Sequence, residues 1–273
     1  MIIFLLLFLL FILGSAIGSF LTVVVDRIPQ GKSIIFGRSV CDSCKKSLRP
    51  LDLIPVLSFF LVKRHCRYCQ AELGWHYVLI EILTGAAFVF VGFLALSANI
   101  INPASALALA PFLYFTFLLC CLIILFFIDL FYGILPFSVI GIAVLTTALW
   151  YWLSSFFHVP AFPLPSSFEG AVISAIGAFL FFLFLFLATK KRGMGFGDVV
   201  YAFFMGFLLG FPGIITGLYV AFLTGAIVSL ILIVLGKKKL RGGAIPFGPF
   251  LVLGTVVTLF WGNMITAFFS RFV

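Results

Sequence analysis

Stretches of roughly twenty residues without a charge recur along the whole of this chain. The opening run, Met1 to Val25, is apolar apart from Gly14, Ser15, Gly18, Ser19 and Thr22. Further runs fall near 78–97, 106–128, 137–154, 169–188, 199–211, 213–235 and 249–268. A hydrocarbon core ~30 Å thick takes ~20 helical residues to cross. Lipid offers the backbone no hydrogen-bond partner, so runs of this kind cross as helices. Composition agrees, since 64% of the 273 residues are hydrophobic, 38 are Phe and only 9% are charged. A soluble domain has ~45–50% apolar and ~25% charged residues, so a soluble enzyme, a secreted disulfide scaffold and a disordered tail are excluded. The expected fold is an all-α polytopic membrane protein with about eight transmembrane helices. The segment 199–211 is short and is followed by Pro212-Gly213, a turn signal; the count becomes seven if that segment is re-entrant.

A net charge of +9 would suggest a nucleic-acid partner in a soluble protein. Here the basic residues sit between apolar runs, where they report topology. With the N-terminus outside, the inside stretches are 26–77, 129–136, 189–198 and 236–248, and they hold all of the 17 Lys and Arg except Arg271. The first basic residue, Arg27, follows the opening run, whereas a cleaved signal peptide carries its positive charge ahead. An uncleaved first helix over 1–25 is therefore expected, then a cytoplasmic loop over 26–77 and a transmembrane domain over 78–273. The bilayer is the expected surrounding and no nucleic acid the expected partner. The outer loop around His158, Pro160, Pro163 and Pro165 shows no chemistry.

The loop holds Cys41-Asp42-Ser43-Cys44 and Cys66-Arg67-Tyr68-Cys69, with 21 residues between them. Each CxxC turn places two sulfurs within reach of one ion, and two turns complete the four-thiolate shell of a structural zinc site. Lys45, Lys46, Arg64 and Arg67 flank the pairs and favour thiolates. Two disulfides, which a cytoplasmic redox poise disfavours, or a redox role are the alternatives. His65 is surplus to four cysteines and reads as a solvated loop residue. Cys120 and Cys121 lie in an apolar run and read as small core residues.

Only eight residues are acidic. Asp26, Asp42, Asp52, Glu72 and Glu169 read as solvated loop or helix-end charges. Glu81, Asp129 and Asp198 lie in or beside spans, where a carboxylate costs ~2.5–3.5 kcal/mol and is a functional candidate. Asp129 follows the run Phe115–Ile128 and Asp198 follows Lys190-Lys191-Arg192, so both belong at the cytoplasmic face at one depth. Two neighbouring carboxylates cannot both ionise easily; one keeps a proton while the other takes one from water. Gly193-Met194-Gly195-Phe196-Gly197 allows a tight turn and close backbone approach ahead of Asp198. A helix beginning at Asp198 would favour its charge; the plainer alternative is that Asp198 only caps that helix. The stretch from Gly242 to Phe250 is either a connecting turn or, functionally, a cavity wall or an extended edge for a substrate strand.

In this order the motifs resemble type IV prepilin peptidases, the bifunctional leader peptidases and N-methyltransferases of the GxGD aspartyl protease family. The resemblance runs through Gly18-Ser19-Phe20-Leu21-Thr22 with Arg27-Ile28-Pro29, the two CxxC pairs with Ile54-Pro55-Val56-Leu57-Ser58 between them, and Tyr77 and Glu81 with Leu83-Thr84-Gly85. It continues through Phe127-Ile128-Asp129-Leu130 with Leu135-Pro136, Gly193 to Asp198, and Ile245-Pro246-Phe247-Gly248-Pro249-Phe250. Thr22, His76, Val78, Phe131 and Phe137 stand where the family usually has Asn, Arg, Pro and two further acids. The resemblance implies that Asp129 and Asp198 form the peptidase pair. They would cut the short basic leader from prepilin and pseudopilin precursors just ahead of a hydrophobic helix. It also implies N-methylation of the new terminus with S-adenosylmethionine, a structural zinc on Cys41, Cys44, Cys66 and Cys69, and a place in the bacterial inner membrane with the active site and zinc loop cytoplasmic. Type IV pili and protein secretion are the processes such enzymes serve. Glu81 is the candidate for the methyl-transfer site, as base or amine anchor, unless it pairs with a loop arginine. Two alternatives remain: a peptidase without methylation, and a non-enzymatic transporter or assembly scaffold with a zinc ribbon.

Overall fold

In lipid a helix satisfies its own backbone, and the chain answers its apolar runs with helices throughout. The computed structural model describes residues 2–41, 43–97, 109–157, 167–190, 194–236 and 245–269. The helices are α1 (Ile2–Arg27), the short α2 (Leu57–Leu61), α3 (Trp75–Ser97), α4 (Ala110–Tyr132), α5 (Phe137–Phe157), α6 (Phe168–Ala188), α7 (Phe196–Val234) and α8 (Gly248–Phe269), with a 3₁₀ turn at Pro50–Leu53. All except α2 are long and apolar enough to cross a membrane, which makes seven candidate spans among the described residues. The all-α polytopic expectation is borne out. The outer loop with His158, Pro160, Pro163 and Pro165 lies outside the described residues, as do Asp42, Gly193, Gly242 to Ala244 and Arg271.

The difference between eight expected helices and seven spans resides in α7. Its 39 residues would extend about 58 Å at ~1.5 Å per residue, nearly twice a bilayer core. The helix is interrupted at Gly210 (φ 60°, ψ −175°) and Phe211 (φ −90°, ψ 137°), just before Pro212. A glycine takes that positive φ without penalty, and the proline cannot donate to the preceding turn. The expected boundary between 199–211 and 213–235 is therefore real, and the two stretches are separate helices that fold back on each other: a β-carbon at Gly217 would meet the Met205 side chain, although twelve residues of one straight helix span about 18 Å.

The chain divides into two compact units, Met1–Ile124 and Leu125–Val273. In the first, α1 packs on α3 along a seam of glycines. A β-carbon at Gly14 would come 2.9 Å from the Gly85 Cα, and one at Gly18 would come 2.7 Å from the Glu81 Cα. Small residues at such crossings let backbones approach closely where lipid supplies no hydrophobic drive. Phe88 of α3 meets Phe112 of α4 edge-on, with centroids 6.0 Å apart. Cys120 and Cys121 are buried in α4, the small core residues expected.

In the second unit α7 is the hub, packed against α5, α6 and α8. A β-carbon at Gly206 would lie 2.6 Å from the Ser174 carbonyl oxygen and 2.8 Å from the Ala175 Cα of α6. On the α8 side the hydroxyls of Tyr201 and Thr255 are 2.9 Å apart and buried, and Thr255 in turn donates to the Leu251 carbonyl at 2.8 Å. The seam at Gly206 abuts backbone, which has nowhere to retreat. Gly206→Leu is expected to destabilise the protein by about 1–3 kcal/mol or more through overpacking, read as a lower melting temperature in detergent.

Candidate active site and metal centre

Two turns of the same build carry the four loop cysteines. The Cys41 N–H donates to the Lys46 carbonyl (3.0 Å) and its carbonyl accepts from Lys45 N–H (2.8 Å). The Cys66 N–H donates to the Ala71 carbonyl (2.8 Å) and its carbonyl accepts from Gln70 N–H (2.9 Å). Lys45 (φ 57°) and Gln70 (φ 59°), each one residue past its second cysteine, take the left-handed conformation that closes the turn. Isolated antiparallel bridges, Val40 with Ser47 and His65 with Glu72, bracket them in the same register. The four Sγ atoms lie within 4.8 Å of one another, and those of Cys41 and Cys69 are 3.8 Å apart. Thiolates ~2.3 Å from a tetrahedral zinc ion stand ~3.8 Å apart, while a disulfide needs ~2.05 Å. The four cysteines are unbridged, and as a donor set they fit one metal ion. His65 is outside the cluster; its Nδ1 lies 2.7 Å from the Lys63 carbonyl oxygen.

The loop acids are not simply solvated. The Asp52 side chain is 7% exposed and meets Arg67 at 3.2 Å, and its Oδ2 accepts from the Arg49 N–H at 3.1 Å. Glu72 pairs with Arg64 at 2.7 Å near the surface. These bonds hold the polypeptide between the two cysteine turns.

In the second unit the structure brings together the end of α4 and the starts of α7 and α8. Asp129 is in the last turn of α4, inside the helix rather than just after it as the apolar run implied. Asp198 is in the first turn of α7, which begins two residues earlier, at Phe196. Its Oδ2 accepts from the Gly195 N–H at 3.0 Å, so it does cap the helix. The two carboxylates are close enough for the charge of Asp129 to bear on Asp198. They are 5% and 7% exposed. The connection after α4 runs against the start of α7, where a β-carbon at Gly197 would lie 2.9 Å from Leu135 Cβ. That close approach draws the end of α4 toward Asp198, which is the use the glycines were expected to have.

Sequence reasoning missed the residue that closes the site. Gly248, the first residue of α8, lies so near Asp129 that a β-carbon would fall 2.5 Å from Oδ2 and 2.7 Å from Cγ. The first residue of α8 thus sets its backbone directly against the Asp129 carboxylate. The signal was present in Pro246-Phe247-Gly248-Pro249, a glycine held between prolines at a helix entry. Asp129 Oδ2 is buried and has no hydrogen-bond partner among the described residues. Asp198 sits in the first turn of α7 and the Asp129 carboxylate lies against the first residue of α8, and helix N-termini favour negative charge.

Glu81 is in the first unit, in the second turn of α3, 8% exposed. Its Oε2 accepts from the Val56 N–H at 2.7 Å and the Ser19 hydroxyl also hydrogen-bonds to the carboxylate, so its partners are a loop amide and a hydroxyl of α1 rather than a loop arginine. Val56 is held at φ 61°, which turns that amide inward. Glu81 lies on an open cavity of about 830 Å³ lined by α1, the loop and the start of α3.

Comparisons with known proteins agree in kind. The bacterial peptidase A24 N-terminal domain family matches residues 12–95 and the type IV leader peptidase family matches residues 116–230. The chain is 31% identical to a prepilin leader peptidase/N-methyltransferase of Burkholderia pseudomallei (strain 1026b), over 92% of this chain and 84% of that one. It is 29% identical to a protein of the same description from Bacillus subtilis (strain 168), over 96% of this chain and 97% of that one. No solved structure matches it.

Two outcomes follow from this geometry. Gly248→Ala is expected to push the Asp129 carboxylate aside and lower turnover by roughly 10²-fold with zinc content unchanged, checked by peptide cleavage beside elemental analysis. Purified protein is expected to carry about one zinc per chain, and Cys44→Ser combined with Cys69→Ser to carry none, measured by plasma mass spectrometry.

Proposed function

The chain belongs to the type IV prepilin leader peptidase family, and we infer that Asp129 and Asp198 are the groups with which it removes the leader of a prepilin before methylating the new N-terminus. The observation that carries the pair is the buried, unpartnered Asp129 Oδ2 beside a second carboxylate. Two acids so placed hold one proton between them. The ionised member takes a proton from water, and the water oxygen attacks the scissile carbonyl while the protonated member donates to its oxygen. Collapse of the tetrahedral intermediate, with proton transfer to the leaving amine, completes hydrolysis without a covalent intermediate. A transporter or scaffold reading gives that oxygen no purpose.

The substrates are prepilin and pseudopilin precursors whose basic leader stays in the cytoplasm while the apolar helix behind it lies in the bilayer. Their scissile bond then arrives at the face where the two aspartates sit. The distribution of Lys and Arg supports a cytoplasmic zinc loop and active site, and the family resemblance supports a bacterial inner membrane and service to type IV pili and protein secretion. The four cysteines leave no open position on a zinc ion, so its role is structural. S-adenosylmethionine supplies, when bound, a methyl group on a positively charged sulfur, and Glu81 is the residue of this chain assigned to its site.

Mass spectrometry of a prepilin incubated with the solubilised enzyme and S-adenosylmethionine tests the reading. Loss of the leader and gain of one methyl mass are expected with wild type, and a drop in cleavage of roughly 10²–10⁴-fold with Asp129→Asn or Asp198→Asn. Wild-type cleavage by either folded variant would remove the pair from the mechanism.

A further inference from the structure

Residues 53–62 form the longest uncharged run of the loop between α1 and α3. The run is too short to cross a bilayer, which takes ~20 helical residues, and its middle is α2. This short helix has two unlike sides. Phe59 is buried and lies against Trp75, the first residue of α3, with ring centroids 5.2 Å apart. Leu57, Phe60 and Leu61 turn away from the protein and are 62%, 58% and 73% exposed. Three large apolar side chains grouped on a surface mark a contact with something apolar.

Hydrogen bonds fix the depth of that surface. The Val56 N–H donates to the Glu81 carboxylate, and Glu81 is six residues past Trp75 in a helix long and apolar enough to cross a membrane, ~9 Å along its axis. The face of α2 therefore lies beside the first turns of α3, where Leu79, Ile82 and Leu83 are exposed as well. Trp75 stands at the mouth of that span, the level at which Trp rings mark the headgroups. The entry to α2 is held tightly: the Leu57 N–H donates to the Pro55 carbonyl at 2.6 Å around Val56 at φ 61°, ψ −53°. A β-branched residue keeps such a turn only where its surroundings over-determine it.

The neighbouring charges leave the apolar face clear. Glu72 is paired with Arg64, whose guanidinium stands 5.2 Å over the Trp75 ring, and Asp52 is paired with Arg67. Lys63, just past α2, is exposed and makes no ion pair among the described residues. An apolar turn followed by a cation suits acyl chains bordered by phosphates.

We propose that α2 is a membrane-surface anchor: Leu57, Phe60 and Leu61 enter the acyl region of the leaflet at the loop end of α3, and Lys63 meets the phospholipid headgroups. The anchored segment carries the Val56 amide to Glu81, so the lipid surface takes part in ordering the loop that holds the four cysteines.

The test is photo-crosslinking of the full-length protein in vesicles of phosphatidylethanolamine and phosphatidylglycerol, read by mass spectrometry. Phe60→p-benzoylphenylalanine is expected to give phospholipid adducts at a yield within about threefold of that from Leu83→p-benzoylphenylalanine on α3. Adducts to protein would mean that another part of the chain or a second copy covers α2, and adducts to neither would place it in water; both results overturn the anchor. Leu57→Asp combined with Leu61→Asp should expel the helix from lipid, and amide hydrogen exchange over residues 57–62 is expected to speed up about tenfold or more with zinc content unchanged. Exchange as slow as in wild type, in a zinc-replete variant, would overturn the ordering role.

Discussion

A carboxylate inside a membrane helix must be met by backbone or by another ionisable group, because lipid offers it nothing. Each of the three membrane acids is met by main chain from elsewhere. Asp198 receives the Gly195 amide, Asp129 has Gly248 pressed against it, and Glu81 receives the Val56 amide with Gly18 behind its Cα. Glycine recurs at these contacts because another residue would hold the neighbouring chain a β-carbon further away. The helix crossings, the break before α8 and the fold of the loop can all be understood as ways of delivering backbone to an acid.

The acids differ in how completely they are satisfied, and the difference matches their assigned chemistry. Asp198 is tied into a helix start, while Asp129 keeps one buried oxygen without a partner. Hydrolysis needs such an oxygen, because water must have somewhere to give its proton. Glu81 keeps a neutral partner and an open cavity. The aspartates of the second unit stand in largely apolar surroundings, which makes their interactions strong.

Much of this was legible in the residues. Apolar runs located the helices to within a few positions, since a span has to be long and uncharged, and CxxC spacing located the metal centre, since two sulfurs on one tight turn share one ion. The acids stood out by their rarity. Long-range contacts were not legible: nothing local to Gly248 says that it touches Asp129, and nothing in Val56 says that its amide turns toward Glu81. Helix ends were misjudged by a few residues at Asp129 and Asp198, because an acid interrupts the helical backbone neither in the last turn of α4 nor in the first turn of α7, which Asp198 caps. Asp52 looked solvated because its partner, Arg67, is distant in sequence and near only once the cysteine turns have formed.

The interruption of α7 divides more than a helix count. Before it, the arm from Asp198 to Leu209 is largely buried inside the unit; beyond it, Ile215, Tyr219, Leu230 and Val234 are among many exposed apolar side chains. At Gly210 and Phe211 the helical hydrogen-bond ladder is cut, and the chain turns back so that the later arm packs on the earlier one: a β-carbon at Gly217 would lie 2.9 Å from Leu209 Cδ1. The later arm is buried along Ile214, Gly217, Ala221 and Gly225, so the carboxylate of Asp198 stands on the sheltered half of a helical hairpin whose other half meets the lipid.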